Sequence, residues 1–126
     1  MSIRFGRHVF FGLLVVSTCA MLTPGGAVPT QGLDDKVMHG LVFLALAVTG
    51  RWAGYAALPL AVALVGYAGL TEVLQTVLPI NRDGDPRDLV ADGIGIVIGL
   101  VLVELAAWRG GPPGSPPAPR RSRSRA

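Results

Sequence analysis

Four long apolar segments, each separated from the next by a short polar stretch, constrain this chain more than any other feature. They cover approximately residues 5–22, 35–50, 58–78 and 88–108. This is the hydropathy pattern of a protein that crosses a membrane several times. The composition agrees, because 51% of the 126 residues are hydrophobic and the mean hydropathy is +0.53. We therefore predict an all-α fold, an integral membrane bundle of about four transmembrane helices.

The first apolar segment has two interpretations. Arg4 and Arg7 precede it, and a Pro-Gly-Gly sequence ends it. A basic start, an apolar core and the small residues Gly25 and Ala27 are typical of a cleaved signal peptide, which would leave three spans. We favour its retention as the first transmembrane helix.

The distribution of basic residues predicts the orientation. With the amino terminus inside, eight of the eleven Lys and Arg residues lie on the inner side, and only Lys36, Arg82 and Arg87 lie outside. This obeys the positive-inside rule, so we predict that both termini are cytoplasmic. The net charge of +3 and the pI near 9.8 come from the chain ends, so we expect the lipid bilayer as partner and no nucleic acid.

The chain divides into a membrane domain, residues 1–110, and a tail, residues 111–126. The tail is rich in Pro, Gly and Arg. Such a composition cannot bury enough apolar surface to fold, so we predict a disordered cytoplasmic tail.

Polar side chains occur at regular intervals where three of the apolar segments begin or end. Helical neighbours lie three or four residues apart, and these residues follow that spacing within each segment. In the predicted topology all of them lie near the outer surface. Because ionisable groups beside or within a span are costly, they form a candidate functional site. The members are Asp35, Lys36, His39, Glu72, Gln75, Arg82, Asp88 and Asp92.

Other residues predict helix ends and helix contacts. Asp34 or Asp35 is expected to cap the second helix and Gly50 to end it. In the last segment Ala91, Gly95 and Gly99 follow one another at four-residue spacing. Small residues at this spacing allow two helices to approach closely, so we predict helix packing at Gly95 and Gly99.

Three motifs in this order resemble the signature of the VanZ-like family of membrane proteins, over residues 35–102. They read Asp35-Lys36-x-x-His39, then Glu72-x-x-Gln75, then Arg82-x5-Asp88-x-x-Ala91-Asp92-x-x-Gly95-x-x-x-Gly99. The chain departs from the family pattern at Asp92, where Asn is usual. An acid at that position adds a charge or requires a shared proton.

The resemblance implies a multi-pass protein of the bacterial plasma membrane with a role in the cell envelope. The namesake of the family is linked to low-level resistance to the glycopeptide antibiotic teicoplanin. No settled biochemical activity comes with the family name, and no sequence feature indicates the oligomeric state.

Three interpretations of the polar residues stay open. In the first, the chain is an enzyme in which Glu72 is a general base and His39 an acid or base. Lys36 and Arg82 would then hold a phosphate or carboxylate of a lipid-linked or cell-wall precursor. The sequence contains no recognisable nucleophile motif, so the catalytic residues are unknown.

In the second interpretation, His39, Glu72, Asp88 and Asp92 bind a metal ion. The H-x-x-x-H and C-x-x-C spacings typical of metal sites do not occur. We therefore predict no metal ligand and no cofactor from the sequence.

The third interpretation is structural. Lys36 and Arg82 would pair with Glu72, Asp88 and Asp92 to lock three helices together. Removal of one partner from a buried ion pair costs about 3–5 kcal/mol, so such a network can be essential for folding alone.

Overall fold

The computed structural model describes residues 2–24 and 33–110. Within these ranges all regular structure is helical, and there is no strand. The signal-peptidase site predicted at Gly25 and Ala27 and the predicted tail, residues 111–126, lie outside the described residues.

Four helices follow one another, and their bounds are α1 (Ile3–Met21), α2 (Leu33–Trp52), α3 (Ala57–Val77) and α4 (Pro86–Arg109). Three of them, α1, α3 and α4, are long and apolar enough to cross a membrane. The prediction of an all-helical fold is confirmed, and these three helices are compatible with a membrane protein.

The predicted ends of α2 were wrong. The helix begins at Leu33, so Asp34 and Asp35 lie inside its first turn, where an acidic residue still favours the positive helix end. Gly50 does not end the helix but is a packing position, since a Cβ there would lie 2.7 Å from both methyl groups of Leu60. The turn comes at Gly54, whose φ of +88° suits glycine.

The start of α4 follows from local chemistry. Asp85 is the N-cap, and its Oδ1 accepts a hydrogen bond of 2.9 Å from the backbone N–H of Arg87. Pro86 occupies the first turn, where backbone N–H groups have no acceptor within the helix, so the N–H that proline lacks costs no hydrogen bond. The helix thus begins two residues before Asp88.

The helices alternate in direction, so α2 and α4 run parallel to each other and α1 and α3 run opposite to them. At one end of the bundle Arg51 of α2 donates to Oε1 of Glu104 of α4, with Nη2 at 2.6 Å. At the other end Lys36 of α2 meets Asp88 of α4. Every helix therefore places one terminus at each end.

The core is narrow and the outer surface is apolar. Phe43, Leu46 and Ala47 of α2 are fully buried, whereas large apolar residues of α3 and α4 such as Leu58, Val62 and Val97 are exposed. Hydrophobic residues that face outward over whole helices are expected where lipid, and not water, surrounds the bundle.

Candidate functional site

Nine polar residues gather at one end of the bundle, where α2 and α4 begin and α1 and α3 end. We call this group the polar cluster. It contains all eight residues of the predicted site and one more, Asp85. Its members are Asp35, Lys36, His39, Glu72, Gln75, Arg82, Asp85, Asp88 and Asp92.

Lys36 joins the start of α2 to the start of α4. Its Nζ lies 2.8 Å from Oδ2 of Asp85 and 3.1 Å from Oδ1 of Asp88. The Asp88 side chain is only 7% exposed, so Lys36 neutralises a carboxylate that water barely reaches. The hydrogen bond from Lys36 and that from the Arg87 backbone N–H lower the pKa of Asp85.

His39 and Asp92 form the most deeply buried pair. Their side chains are 5% and 1% exposed, and Nδ1 of His39 lies 3.1 Å from Oδ1 of Asp92. When Asp92 is ionised, its carboxylate only accepts hydrogen bonds, and Nδ1 of His39 then carries the proton and donates it. The carboxylate therefore fixes the orientation of the ring, and in the neutral ring Nε2 keeps its lone pair.

Arg82 and Gln75 attach the end of α1 to the cluster. The backbone carbonyl of Met21 accepts a 2.9 Å hydrogen bond from Nε2 of Gln75 and a 3.0 Å bond from Nη1 of Arg82. The last carbonyls of a helix lack partners within the helix, and a cation there also meets the negative helix end. Arg82 Nη2 lies 3.9 Å from Oδ1 of Asp35.

Glu72 has a buried oxygen with no partner. Its Oε1 has less than 1 Å² of accessible surface and, within the described part of the chain, no hydrogen-bond partner. The loop packs tightly over it, since a Cβ on Gly84 would lie 2.7 Å from this oxygen. An unpartnered buried carboxyl oxygen is costly, so its environment calls for a proton or a ligand.

Glycines bring α2 and α4 together beneath the cluster. A Cβ on Gly95 would overlap the carbonyl oxygen of Gly40, and one on Gly99 would lie 2.7 Å from the carbonyl oxygen of Leu44. Only glycine permits this backbone approach. Since Gly40 follows His39 directly and Gly95 lies one turn from Asp92, the approach also sets the His39–Asp92 distance.

A half-open cavity of about 130 Å³ lies beside the cluster, between α1 and α2. Its polar lining is Asp35, His39, Arg82 and Ser17. Ala20 and Met38, which also line it, are exposed on the outer surface of the bundle. The cavity is thus reached from the side of the bundle.

Sequence reasoning missed two parts of the site. The Asp85-Pro86 pair is a recognisable helix start that places Asp85 beside Lys36. The Met21 carbonyl is a backbone group, and no sequence signal identifies it as an acceptor.

Sequence reasoning also missed a polar contact within the bundle, between α3 and α1. The Tyr67 hydroxyl lies 3.0 Å from Oγ of Ser17 and 2.8 Å from Oγ1 of Thr18, which ties α3 to α1. Both hydroxyls of α1 also donate to the carbonyl of Leu14. Ser17 is therefore engaged in helix contacts, and its described hydrogen bonds are to the Leu14 carbonyl and the Tyr67 hydroxyl, neither of which is a general base.

The chain matches no protein-family model, no curated protein and no solved structure. The site is therefore interpreted from its own geometry.

Proposed function

We propose that this chain is a VanZ-like integral membrane protein of the bacterial cell envelope that contributes to resistance against glycopeptide antibiotics of the teicoplanin type. It acts by binding the charged head group of a lipid-linked or cell-wall precursor at its polar cluster. The order of the three sequence motifs supports the family. The apolar helices α1, α3 and α4 support the membrane location.

The observation that carries the binding function is the cavity between α1 and α2. Asp35, His39 and Arg82 border this cavity together, and the rest of its wall is mainly apolar. One water occupies about 30 Å³, and pockets for drug-sized ligands measure about 300–1,000 Å³. A volume of about 130 Å³ fits a phosphate or a similar small group and not a whole antibiotic or precursor.

The side opening supports a ligand that is anchored in the membrane. Ala20 and Met38 border the cavity on the outer, lipid-facing surface. A lipid head group can enter there while its chains stay in the bilayer. Arg82 has five N–H donors, which suit a phosphate or carboxylate, and its described hydrogen bond to Met21 uses one of them.

Binding is favoured over catalysis by the state of the hydroxyl groups. The Ser17 hydroxyl at the cavity donates to the carbonyl of Leu14 at 2.9 Å, and that of Thr71 donates to Ala68 at 2.9 Å. Neither is prepared for nucleophilic attack.

The proposed orientation places the cluster outside the cell. Of the described basic residues, Arg4, Arg7, Arg51 and Arg109 lie at the opposite end of the bundle. The positive-inside rule puts that end, and with it both termini, in the cytoplasm. Because α1 and α3 cross the membrane in the same direction, the chain must return across it between them. In this arrangement α2 makes that return and is the fourth span.

A test uses Glu72→Gln in a strain that lacks the chromosomal copy of the chain. The substitution removes the charge but keeps the shape, and Oε1 has no described hydrogen bond to lose. We expect teicoplanin susceptibility to rise to the level of the deletion strain while the amount of protein in the membrane is unchanged. Glu104→Gln, the same chemical change at the opposite end, is the matched control and should retain resistance.

Three outcomes would contradict the proposal. The first is full resistance with Glu72→Gln, and the second is no change in susceptibility when the whole chain is deleted. The third is a loss of resistance that follows a loss of membrane-inserted protein, which would assign Glu72 a structural role.

A further inference from the structure

Asp35, His39 and Asp88 offer a set of metal-ligand atoms. One oxygen from each carboxylate and one ring nitrogen of His39 all lie within 4.8 Å of one another. His39 and Asp88 are buried, and Asp35 is partly buried. A first-row divalent cation binds such atoms at about 2.0–2.2 Å, so the three ligand atoms would move closer together around it. Asp35 and Asp88 are near the starts of α2 and α4, so rigid elements present them.

The charges of the polar cluster do not balance. It has five carboxyl groups, on Asp35, Glu72, Asp85, Asp88 and Asp92, but its only permanent cations are Lys36 and Arg82. The neighbouring Asp83 and Arg87 are exposed and cancel each other. Two helix N-termini and two helix C-termini meet at this end, so the helix dipoles cancel as well. Of the five carboxyl groups those of Asp88 and Asp92 are buried, and an excess of negative charge around them favours a bound cation or protons.

His39 is arranged as metal-binding histidines are. Its Nδ1 lies 3.1 Å from Oδ1 of Asp92, and a hydrogen bond from Nδ1 to an ionised Asp92 holds the ring and leaves the lone pair on Nε2. A carboxylate behind the ring in this way is the usual support of a metal-ligating histidine and raises its basicity. Asp35 and His39 also line the cavity, which provides an entry path from outside the bundle.

Lys36 does not occupy the carboxylates that the site needs. Its shorter contact is to Asp85, which is not one of the three ligands. Its bond to Asp88 uses Oδ1, and a carboxylate has a second oxygen to offer. Arg82 lies 3.9 Å from Asp35, beyond a direct hydrogen bond. The three ligands are therefore accessible to a cation without loss of the pairs that join α2 to α4.

We propose that Asp35, His39 and Asp88 bind one divalent cation of the manganese or zinc type. Imidazole favours zinc and its neighbours, whereas carboxylates favour manganese and other hard ions, so the mixed set lies between these preferences. Three protein ligands leave further coordination positions for water or a ligand group. The inference stands on the site geometry and does not depend on the family or on antibiotic resistance.

The test measures Mn²⁺ binding to the full chain, purified in detergent through a tag that contains no histidine. Equilibrium binding, followed by the loss of the free-ion signal in electron paramagnetic resonance, should give one ion per chain, and Zn²⁺ should displace it. Pulsed measurements should detect one nitrogen bonded to the manganese. This signal should persist in His8→Ala, since the only other histidine of the chain is His8.

Asp35→Asn is the decisive variant, because Asp35 is partly exposed and its loss leaves no buried partner without a bond. We expect its affinity for Mn²⁺ to fall about tenfold or more. Asp83→Asn, at an exposed position between α3 and α4, should bind as the original chain does. The proposal is overturned if the chain binds no Mn²⁺ or Zn²⁺ at millimolar concentration. It is overturned equally if Asp35→Asn and Asp83→Asn bind alike, or if the bound manganese shows no nitrogen ligand.

Discussion

Alanine at Gly95 tests whether the close approach of α2 and α4 holds the site together. The new Cβ would overlap the Gly40 carbonyl oxygen and lie 2.9 Å from the Gly40 carbonyl carbon. Carbon atoms in contact sit about 3.5–4.0 Å apart, so the two helices must separate locally by roughly 0.6–1.1 Å.

This separation acts on the neighbouring pair. His39 Nδ1 and Asp92 Oδ1 lie 3.1 Å apart, so the same displacement would bring them to roughly 3.7–4.2 Å, beyond a hydrogen bond. Overpacking costs about 1–3 kcal/mol. If Asp92 also loses its partner, the buried carboxylate increases the loss of unfolding free energy to roughly 3–5 kcal/mol. We therefore expect Gly95→Ala to lower the free energy of unfolding by at least about 1–3 kcal/mol.

The assay is unfolding in mixed detergent micelles, followed by circular dichroism as the fraction of dodecyl sulfate rises. Gly93→Ala is the matched control, since a Cβ at Gly93 meets no atom within 4 Å. Alanine is favoured over glycine in a helix by about 0.8–1.0 kcal/mol, so the control should be neutral or stabilised. Equal midpoints for Gly95→Ala and Gly93→Ala would refute the reasoning.

Three further predictions use the same unfolding assay. His39→Ala should lower the free energy of unfolding by about 3–5 kcal/mol, because Asp92 stays buried without a partner. A second change, Asp92→Ala, should restore part of this loss, and additive losses would show that the two side chains are not coupled. Tyr67→Phe should cost about 0.6–1.7 kcal/mol through its lost bonds to α1, whereas Tyr55→Phe should cost less; equal losses would rule out the contribution of the Tyr67 hydroxyl. The pKa of Asp85 is lower in the folded chain than in the unfolded chain, where it has its ordinary value of about 3.9. The ionised Asp85 therefore contributes fully to the free energy of unfolding above that ordinary pKa, and this contribution is lost as the pH falls through the lowered pKa. Asp85→Asn should flatten the decline in stability below pH 4, and an unchanged decline would contradict this assignment.

The helices could be predicted from the sequence because each is a continuous apolar segment of the required length. The three- and four-residue spacings also put His39 near the face of Lys36, and Asp92 near the face of Asp88. What periodicity cannot supply is the partner across a helix interface. The backbone contacts of Gly40 with Gly95 and of Leu44 with Gly99 fix the register that brings His39 to Asp92.

The errors have local physical causes. Gly50 was expected to end α2, but a glycine also serves close packing, and the positive φ of Gly54 marks the actual turn. The role of α1 in the site was missed because its contribution is the backbone carbonyl of Met21. Asp85 precedes the apolar segment predicted at residues 88–108, and the proline that follows it is the signal that α4 begins earlier.

The central claim is that the polar cluster lies on the outer face of a membrane bundle, and cysteine labelling in intact cells tests it most directly. Cys19 is first replaced by alanine, and a single cysteine is then placed at Asp83, which is exposed beside the cluster. Gly84 is unsuitable because its Cβ would press against Thr76 and Glu72. The control is a cysteine at Ala56, exposed at the opposite end.

We predict that a membrane-impermeant maleimide labels Asp83→Cys in intact cells and labels Ala56→Cys only after the membrane is permeabilised. Labelling of Ala56→Cys alone in intact cells would reverse the orientation and contradict the account. Labelling of both positions in intact cells would contradict the membrane-spanning arrangement itself.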